Sequence, residues 1–245
     1  EMCIRDRSWP IITSGGGDIS IASRITAGTA GVHGQNWAGG GRVDSGVGQI
    51  LISNSSNNTT STDIVNGIVI RSTGTNDTRF TSSKPTGEAI RVVSSISNTG
   101  NRSIPLFISP GSVTRKTVFS ATGGGDIYFE GNSSGNGTET YSFDISNATV
   151  SATTGRITFR GNRGAIFNTF GSGDTNIGSG GASSGDISFE GNRFANAAGN
   201  LALNMRTAGT LTITPLSTAT FADTVTFPTP GSTTNVGVLL SLIHI

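Results

Sequence analysis

The chain has 245 residues, enough for one large domain or two small ones. Glycine, serine, threonine and asparagine together supply about half of them, whereas only 33% are hydrophobic and 13% are charged. Ordinary soluble domains contain roughly 45–50% apolar and about 25% charged residues. A net charge of +1 excludes the strongly basic surface of a nucleic-acid-binding protein, and no apolar run approaches the ~20 residues of a membrane-spanning helix.

Both ends of the chain resemble translated sequencing adapters. Residues 1–7 read EMCIRDR and residues 240–245 read LSLIHI, which match the translations of a library transposon end in its two orientations. We exclude both segments from fold reasoning and expect residues 8–239 to be an internal fragment of a longer protein. This fragment has no cysteine and one histidine, His33, so we expect neither a disulfide nor a metal site built on thiolates or on several histidines.

A repeat of 30 residues dominates the second half of the chain. Three segments align without gaps: GDIYFEGN at 125–132, GRITFRGN at 155–162 and GDISFEGN at 185–192. In each of them Ile and Phe alternate with polar residues, which predicts a half-buried strand, and the Gly-Asn that follows is typical of a turn. One strand recurring at a constant period predicts a β-solenoid, in which successive coils stack on one another.

Two polar positions of the repeat alternate in charge. They are, in chain order, Asp126, Arg156 and Asp186, and Glu130, Arg160 and Glu190. Neighbouring strands lie about 4.8 Å apart and like charges side by side are unfavourable, so the alternation predicts consecutive parallel strands in register. In that register the side chains of Phe129, Phe159 and Phe189 stack inside the coils.

The other strands follow a looser spacing. Apolar strand pairs begin at Ile19, Ile50, Ile68, Ile90, Leu106 and Leu211. We interpret each pair from Ile50 onward as a new coil, with shorter coils in the first half of the chain. Secondary strands are predicted at 141–146, 165–170, 201–205 and 219–227, and polar loops at 53–63, 72–83, 132–140 and 171–185. Strand is preferred to helix at 194–206 because Gly199 and the Leu-Ala-Leu alternation disfavour a helix.

We therefore predict an all-β fold: a parallel β-helix, or β-solenoid, that is right-handed and has roughly 8–11 coils of about 4.8 Å each. It covers residues 8–227, and residues 228–239 form its end or a linker. The residues after each repeat glycine, Asn132, Asn162 and Asn192, are predicted to form a stack in which each side-chain amide bonds to the next.

This repeat pattern resembles a known group of proteins. Glycine-rich repeats of the form Gly-x-Ile-x-Phe, with Ser/Thr/Asn loops and no cysteine, are similar to filamentous-haemagglutinin-type adhesins and autotransporter passengers of Gram-negative bacteria. The Phe-x-x-Asn segments that begin at Phe129, Phe159 and Phe189 also resemble the repeat of polymorphic outer-membrane proteins. The resemblance implies a right-handed parallel β-helix that is exported across the outer membrane and displayed at the cell surface.

An enzyme is the rival class, because β-helices also carry polysaccharide-cleaving activities. Asp126 and Asp186, two coils apart, would lie roughly 9–10 Å from one another, close to the ~6.5–9.5 Å of an inverting carboxylate pair. Arg156 between them would stabilise both carboxylates in the charged form, the opposite of what a general acid requires. We therefore interpret the two aspartates as part of a solvated charge column.

Other candidate residues carry weaker signals. The glycine-rich stretches 15–18 and 39–44 match the calcium-binding nonapeptide only in part. His33 is predicted to be a loop residue, and Trp9 and Trp37 are predicted to be core or cap residues. We predict no catalytic, cofactor-binding or metal-binding residue in this segment, and no cofactor.

The predicted function is structural and adhesive: a passenger fragment of a secreted bacterial adhesin. The expected partners are an unknown host-surface protein or glycan, an outer-membrane translocator in the parent system, and further copies bound through uncapped solenoid ends. No nucleic-acid partner is expected. The alternative is the shaft of a phage tail fibre or tailspike, or a carbohydrate-active β-helix.

Overall fold

The computed structural model describes residues 11–26, 32–57, 65–72, 76–98, 102–109, 114–134, 139–163, 165–167, 174–178, 185–192, 194–196, 203–216 and 234–241. All regular structure in these residues is β-strand, and none of them belongs to a helix that could cross a membrane. The strands are β1 (Ile11–Thr13), β2 (Ile19–Ile25), β3 (Val32–Ala38), β4 (Gly41–Asp44), β5 (Ile50–Ser56), β6 (Val65–Arg71), β7 (Thr78–Ser82), β8 (Glu88–Ile96), β9 (Arg102–Ile108), β10 (Thr117–Ala121), β11 (Asp126–Ser133), β12 (Glu139–Thr140), β13 (Phe143–Ile145), β14 (Ala148–Ala152), β15 (Ile157–Gly161), β16 (Ala165–Phe167), β17 (Thr175–Ile177), β18 (Ile187–Gly191), β19 (Phe194–Asn196), β20 (Leu203–Thr214) and β21 (Thr234–Ser241).

The strands stack into three ladders, and the pairings within them are parallel. The first ladder is β1-β4-β7-β10-β14-β17-β20, the second is β2-β5-β8-β11-β15-β18-β20 and the third is β3-β6-β9-β13-β16-β19. β20 joins the first two into one 14-stranded sheet, because its start pairs with β17 and its end with β18. The chain visits the three ladders in turn and returns one coil further along, which is a parallel β-solenoid-like fold. The prediction of an all-β, parallel solenoid is confirmed at this level.

The coil boundaries differ from the prediction. Ile50 pairs with Ile90 in the second ladder, whereas Ile68 pairs with Leu106 in the third. The Ile50 and Ile68 strand pairs therefore belong to two sides of one coil, and the interpretation of each apolar pair as a new coil is wrong. The periodicity was ambiguous because the inward faces of the second and third ladders carry the same alternation of aliphatic side chains.

Stacked aromatic rings fill the interior of the solenoid. Phe129, Phe159 and Phe189 are register partners on adjacent strands, and their ring centroids lie 4.7 and 5.0 Å apart in stacked geometry. Phe80 and Phe119 of the first ladder form a further stacked pair at 4.9 Å, and all five rings are buried. The predicted stacking of the three repeat phenylalanines is confirmed.

Several segments predicted as loops contain strands. β7 lies within 72–83 and β17 within 171–185, while β5 and β11 extend into 53–63 and 132–140. The inward positions of β7 are Thr78, Phe80 and Ser82, and all three are buried. Ser82 donates a hydrogen bond to the backbone oxygen of Gly48 at 2.7 Å. Because a small hydroxyl can be satisfied by the backbone of a neighbouring coil, an inward position need not be apolar, and a hydrophobic pattern misses such strands.

The shorter predicted strands are partly described. β13, β16 and the start of β20 lie within 141–146, 165–170 and 201–205, and β19 and β20 confirm strand at 194–206. The predicted strand at 219–227 and Trp9 lie outside the described residues. β21 adds a parallel strand in the segment predicted as a solenoid end or linker, and its last two residues fall in the predicted adapter sequence.

Glycines allow the coils to approach closely at the corner between the first and second ladders. A Cβ on Gly155 would overlap the backbone oxygen of Gly125, and a Cβ on Gly185 would overlap that of Gly155. Gly161, predicted to mark a turn, is instead the buried last residue of β15, where a Cβ would overlap the side chain of Ser142. The repeat glycines are therefore required by close contact, with backbone at Gly155 and Gly185 and with the Ser142 side chain at Gly161, rather than by turn geometry alone.

Candidate functional site

The charge columns of the repeat lie on the outer side of the second ladder. Glu130, Arg160 and Glu190 are register partners, and Nε of Arg160 lies 3.7 Å from a carboxylate oxygen of Glu190. Nη2 of Arg156 lies 3.8 Å from Asp186, with 62% of the Arg156 side chain exposed. The predicted in-register alternation is confirmed. Exposed pairs of this kind contribute only about 0–1 kcal/mol each, so they favour this register without holding the fold together.

Arg91 extends this charged surface by one coil. Its guanidinium lies 2.5 Å from Glu88 and 3.6 Å from Glu130, and it stands 4.6 Å from the centroid of the Tyr128 ring. The Tyr128 hydroxyl donates to Glu130 at 3.1 Å. Burial, followed by the neighbouring charge of Glu130, raises the pKa of Tyr128. The phenol therefore stays protonated and acts here as a hydrogen-bond donor, while its ring packs against the guanidinium of Arg91.

The two aspartates of the enzyme hypothesis are held by backbone groups. Asp126 Oδ1 accepts a hydrogen bond from the backbone N–H of Arg156 at 2.7 Å, and Asp186 Oδ1 accepts one from Thr210 at 2.9 Å. In both cases the donor lies one coil later, just before the next inward aliphatic residue of the second ladder. Each carboxylate thus adds one hydrogen bond between coils immediately before the first paired residues of the two strands.

We expect Asp126→Ala to lower the free energy of unfolding by about 1 kcal/mol, because the N–H of Arg156 loses its acceptor. Asp126→Asn keeps an oxygen in the same place and should cost less than half as much. Urea denaturation followed by circular dichroism measures both changes. Equal losses in the two variants would contradict a hydrogen-bonding role and favour one that depends on the charge.

Two of the three repeat asparagines bond to the backbone of the preceding coil. Asn162 Nδ2 donates to the backbone oxygen of Ser133 at 2.8 Å, while its Oδ1 accepts from the Ser133 N–H at 2.9 Å. Asn192 Nδ2 donates to the backbone oxygen of Asn162 at 3.2 Å, and Asn132 donates to the Glu130 carboxylate at 3.0 Å. The predicted stack of bonds between side-chain amides is therefore wrong. At this bend the side chains satisfy backbone groups that the strands leave without a partner.

His33 and Trp37 both lie in β3. The loop prediction for His33 is wrong: the ring Nδ1 lies 3.3 Å from the side-chain nitrogen of Asn66. Its strand escaped detection because β3 also carries the buried polar Gln35, which interrupts any apolar alternation. Trp37 packs edge-to-face on Phe80 at 5.5 Å within the core, as predicted.

The aspartates of the two glycine-rich stretches also serve the backbone. Asp18 Oδ1 accepts from the N–H of Gln49 at 2.7 Å, and Asp44 Oδ1 accepts from the N–H of Gly46 at 3.0 Å. The Gly46 hydrogen bond, aided by the nearby Arg42, lowers the pKa of Asp44 against the opposing effect of burial. Among the described residues, no group of three or more His, Cys, Asp or Glu side chains is placed to hold a metal ion.

The sequence analysis did not predict a groove that lies near the N-terminal ends of the strands in the first ladder. Arg42 and Arg79 are register partners on β4 and β7, and Arg115 precedes β10 in the next coil. Together with Ile11 and Asp77 they line a groove of about 470 Å³. The coils differ in length in this half of the chain, so the arginines do not recur at the period of the repeat.

No family model, curated protein or solved structure matches this chain. The function of the chain is therefore inferred from its fold, its two charged surfaces and the resemblance of its repeats to adhesins.

Proposed function

We propose that this chain is a structural and adhesive rod: a passenger segment of a secreted, surface-displayed bacterial adhesin, without catalysis of its own. The observation that supports this most directly is the parallel register that the three ladders keep from coil to coil. Each added coil lengthens the column by about 4.8 Å and places its outward side chains in line with those of the previous coil. Such a column suits the display of a binding surface at a distance from its anchor.

The solenoid is right-handed in this proposal, with a coil number in the predicted range of roughly 8–11. Connections between parallel strands are right-handed in about 98% of cases because strand twist favours that hand. The stack that ends in β20 and β21 contains eight strands, β1, β4, β7, β10, β14, β17, β20 and β21, which supports the lower end of the range.

The absence of catalysis is supported by how the acidic groups are used. One carboxylate oxygen of Asp126 and one of Asp186 accept a hydrogen bond from a backbone N–H. The Arg156 side chain lies beside Asp186. A general acid needs a carboxyl group whose environment favours the neutral form. Here each carboxylate instead accepts a hydrogen bond from the backbone of the next coil, which is a structural role.

Surface localisation and an outer-membrane translocator as partner depend on the resemblance to adhesins and autotransporter passengers. The composition supports both, because residues 8–239 contain no cysteine. A chain without cysteine cannot form a disulfide in an oxidising compartment, and a disulfide would obstruct transport of the unfolded chain.

Copies of the chain also bind each other through the solenoid ends in this proposal. In the described part of the chain, β1, β2 and β3 each have a partner strand on one side only. Unpaired strand edges are templates for pairing with another chain. Sedimentation velocity over a dilution series measures this, and a strictly monomeric species at high concentration would contradict it.

The adhesive role is tested by the binding of fluorescently labelled chain to cultured epithelial cells. We expect saturable binding that unlabelled chain competes away and that heat-denatured chain lacks. Treating the cells with protease or with glycosidases separates a protein receptor from a glycan. No saturable binding would overturn the adhesive role, and release of reducing ends from a polysaccharide panel that Asp126→Asn abolishes would favour the enzyme alternative.

A further inference from the structure

We propose that the groove on the first ladder, lined by Arg42, Arg79 and Arg115, binds a carboxylate-bearing polysaccharide of the uronic-acid type. This inference deepens the proposed adhesive function and rests on it, since it names the ligand class of one surface. The groove measures about 470 Å³ and crosses consecutive coils, from Ile11 in the first described coil to Arg115 in the fourth.

The first observation is a pair of like charges on neighbouring strands. Arg42 and Arg79 face each other directly across neighbouring strands, an arrangement that is unfavourable for two cations. In the second ladder, by contrast, Arg160 stands between Glu130 and Glu190. The adjacent guanidinium groups of Arg42 and Arg79 would gain from an anion held between them.

The second observation is that the local acids leave most of the cationic donors unused. Arg42 Nη2 contacts Asp44 at 2.5 Å, and Arg79 Nη2 contacts Asp77 at 2.7 Å. A guanidinium carries five N–H donors, and within the described residues the other donors of Arg42 and Arg79 make no hydrogen bond. Both side chains remain more than half exposed, so their free donors face solvent.

The third observation concerns the acid that lines the groove and the arginine beyond it. Asp77 Oδ2 is bound by Arg79 and its Oδ1 accepts the backbone N–H of Lys116 at 2.9 Å, so this carboxylate is satisfied from both sides. Arg115 Nε is buried, and no acceptor in the described part of the chain reaches it. Within the described residues Arg115 forms no ion pair, so its charge adds to those that attract an anion into the groove.

The ligand chemistry follows from this geometry. An arginine fork matches a carboxylate with two parallel N–H···O bonds. Consecutive coils are about 4.8 Å apart, close to the length of one pyranose ring, so neighbouring uronic acids can present carboxylates to the register partners Arg42 and Arg79. Ile11, of which 70% is exposed, supplies an apolar surface at the edge of the groove for the face of a sugar ring.

The test uses the full chain and a galacturonic-acid hexasaccharide in isothermal titration calorimetry at low salt. We expect measurable binding that weakens as salt is added. Arg42→Gln and Arg79→Gln should each weaken it about tenfold, because each removes charge-assisted hydrogen bonds to a carboxylate. A neutral galactose hexasaccharide of the same length should not bind, since it lacks the anionic groups.

The matched control is Arg156→Gln, which removes one exposed, acid-paired arginine from the other charged face. This variant should leave the affinity for the hexasaccharide unchanged.

A sulfated oligosaccharide of the same length is tested in parallel. If it bound more strongly than the galacturonic-acid hexasaccharide, the groove would select sulfate rather than carboxylate. Absence of binding, or an equal loss in Arg156→Gln, would overturn the proposal. Equal affinity of the parent chain and of Arg42→Gln for the galacturonic-acid hexasaccharide, with saturable cell adhesion retained, would refute the groove while leaving the adhesive role intact.

Discussion

Phe159→Ala should lower the free energy of unfolding by about 4 kcal/mol, one of the largest effects of any single truncation in this chain. The ring is almost fully buried. It stacks on Phe129 at 4.7 Å and on Phe189 at 5.0 Å, and it meets Phe143 edge-to-face at 5.8 Å. Removing it opens a cavity at the point where three coils and two ladders meet. Urea denaturation monitored by circular dichroism measures the loss.

Two further variants keep this prediction falsifiable. Phe159→Leu fills most of the same space, so it should fold and lose clearly less stability than Phe159→Ala. Val47→Ala alters an exposed side chain, of which 61% is accessible, and should stay within about 0.5 kcal/mol of the parent chain. If Phe159→Ala lowered the free energy of unfolding no more than Val47→Ala does, the stacked aromatic rings would not be the core of the solenoid.

Gly155→Ala should destabilise the chain by about 3 kcal/mol, although it adds only one methyl group. The new Cβ would overlap the backbone oxygen of Gly125 in the coil below. Backbone cannot move aside like a flexible side chain, so the two coils must separate at the corner between the first and second ladders. The separation would also disturb the hydrogen bond from Arg156 N–H to Asp126.

Gly17→Ala is the matched control for this substitution. Gly17 occupies the same corner in the first described coil, and its added Cβ would meet only Ser14 Cβ at 4.0 Å. Alanine there restricts the unfolded chain without a clash, so stability should stay constant or rise by a few tenths of a kcal/mol. A similar loss at Gly17 and Gly155 would show that backbone conformation matters there, and would refute the requirement for close coil-to-coil contact.

The sequence predicted the second half of the molecule better than the first. The 30-residue repeat and the sign alternation at Glu130, Arg160 and Glu190 together predicted a parallel register, which the strand pairing confirms. In the first half the coils vary in length, so no repeat shows which strands are neighbours. Ile50 and Ile68 look like members of one series in sequence, although they lie in different ladders.

Polar strands and the candidate binding surface were harder to predict. β7 lies in a segment that the sequence predicts as a loop because its inward Thr78 and Ser82 are polar. The burial of Ser82 is compensated by its hydrogen bond to the backbone oxygen of Gly48 in another coil. The arginine groove was not predicted from the sequence for a related reason. Arg42 and Arg79 become neighbours only through the pairing of β4 with β7, and nothing in their local sequence indicates that pairing.

The sequence by itself determined that equivalent side chains of successive coils form columns, because stacking at a constant register imposes one residue type, or one alternation of charge, on each column. Only the tertiary structure decided that each coil has three sides, that glycine backbones touch at a corner and that three arginines share a groove. These features depend on which distant segments pair across coils of unequal length. That choice reflects the packing of the whole coil rather than any local pattern.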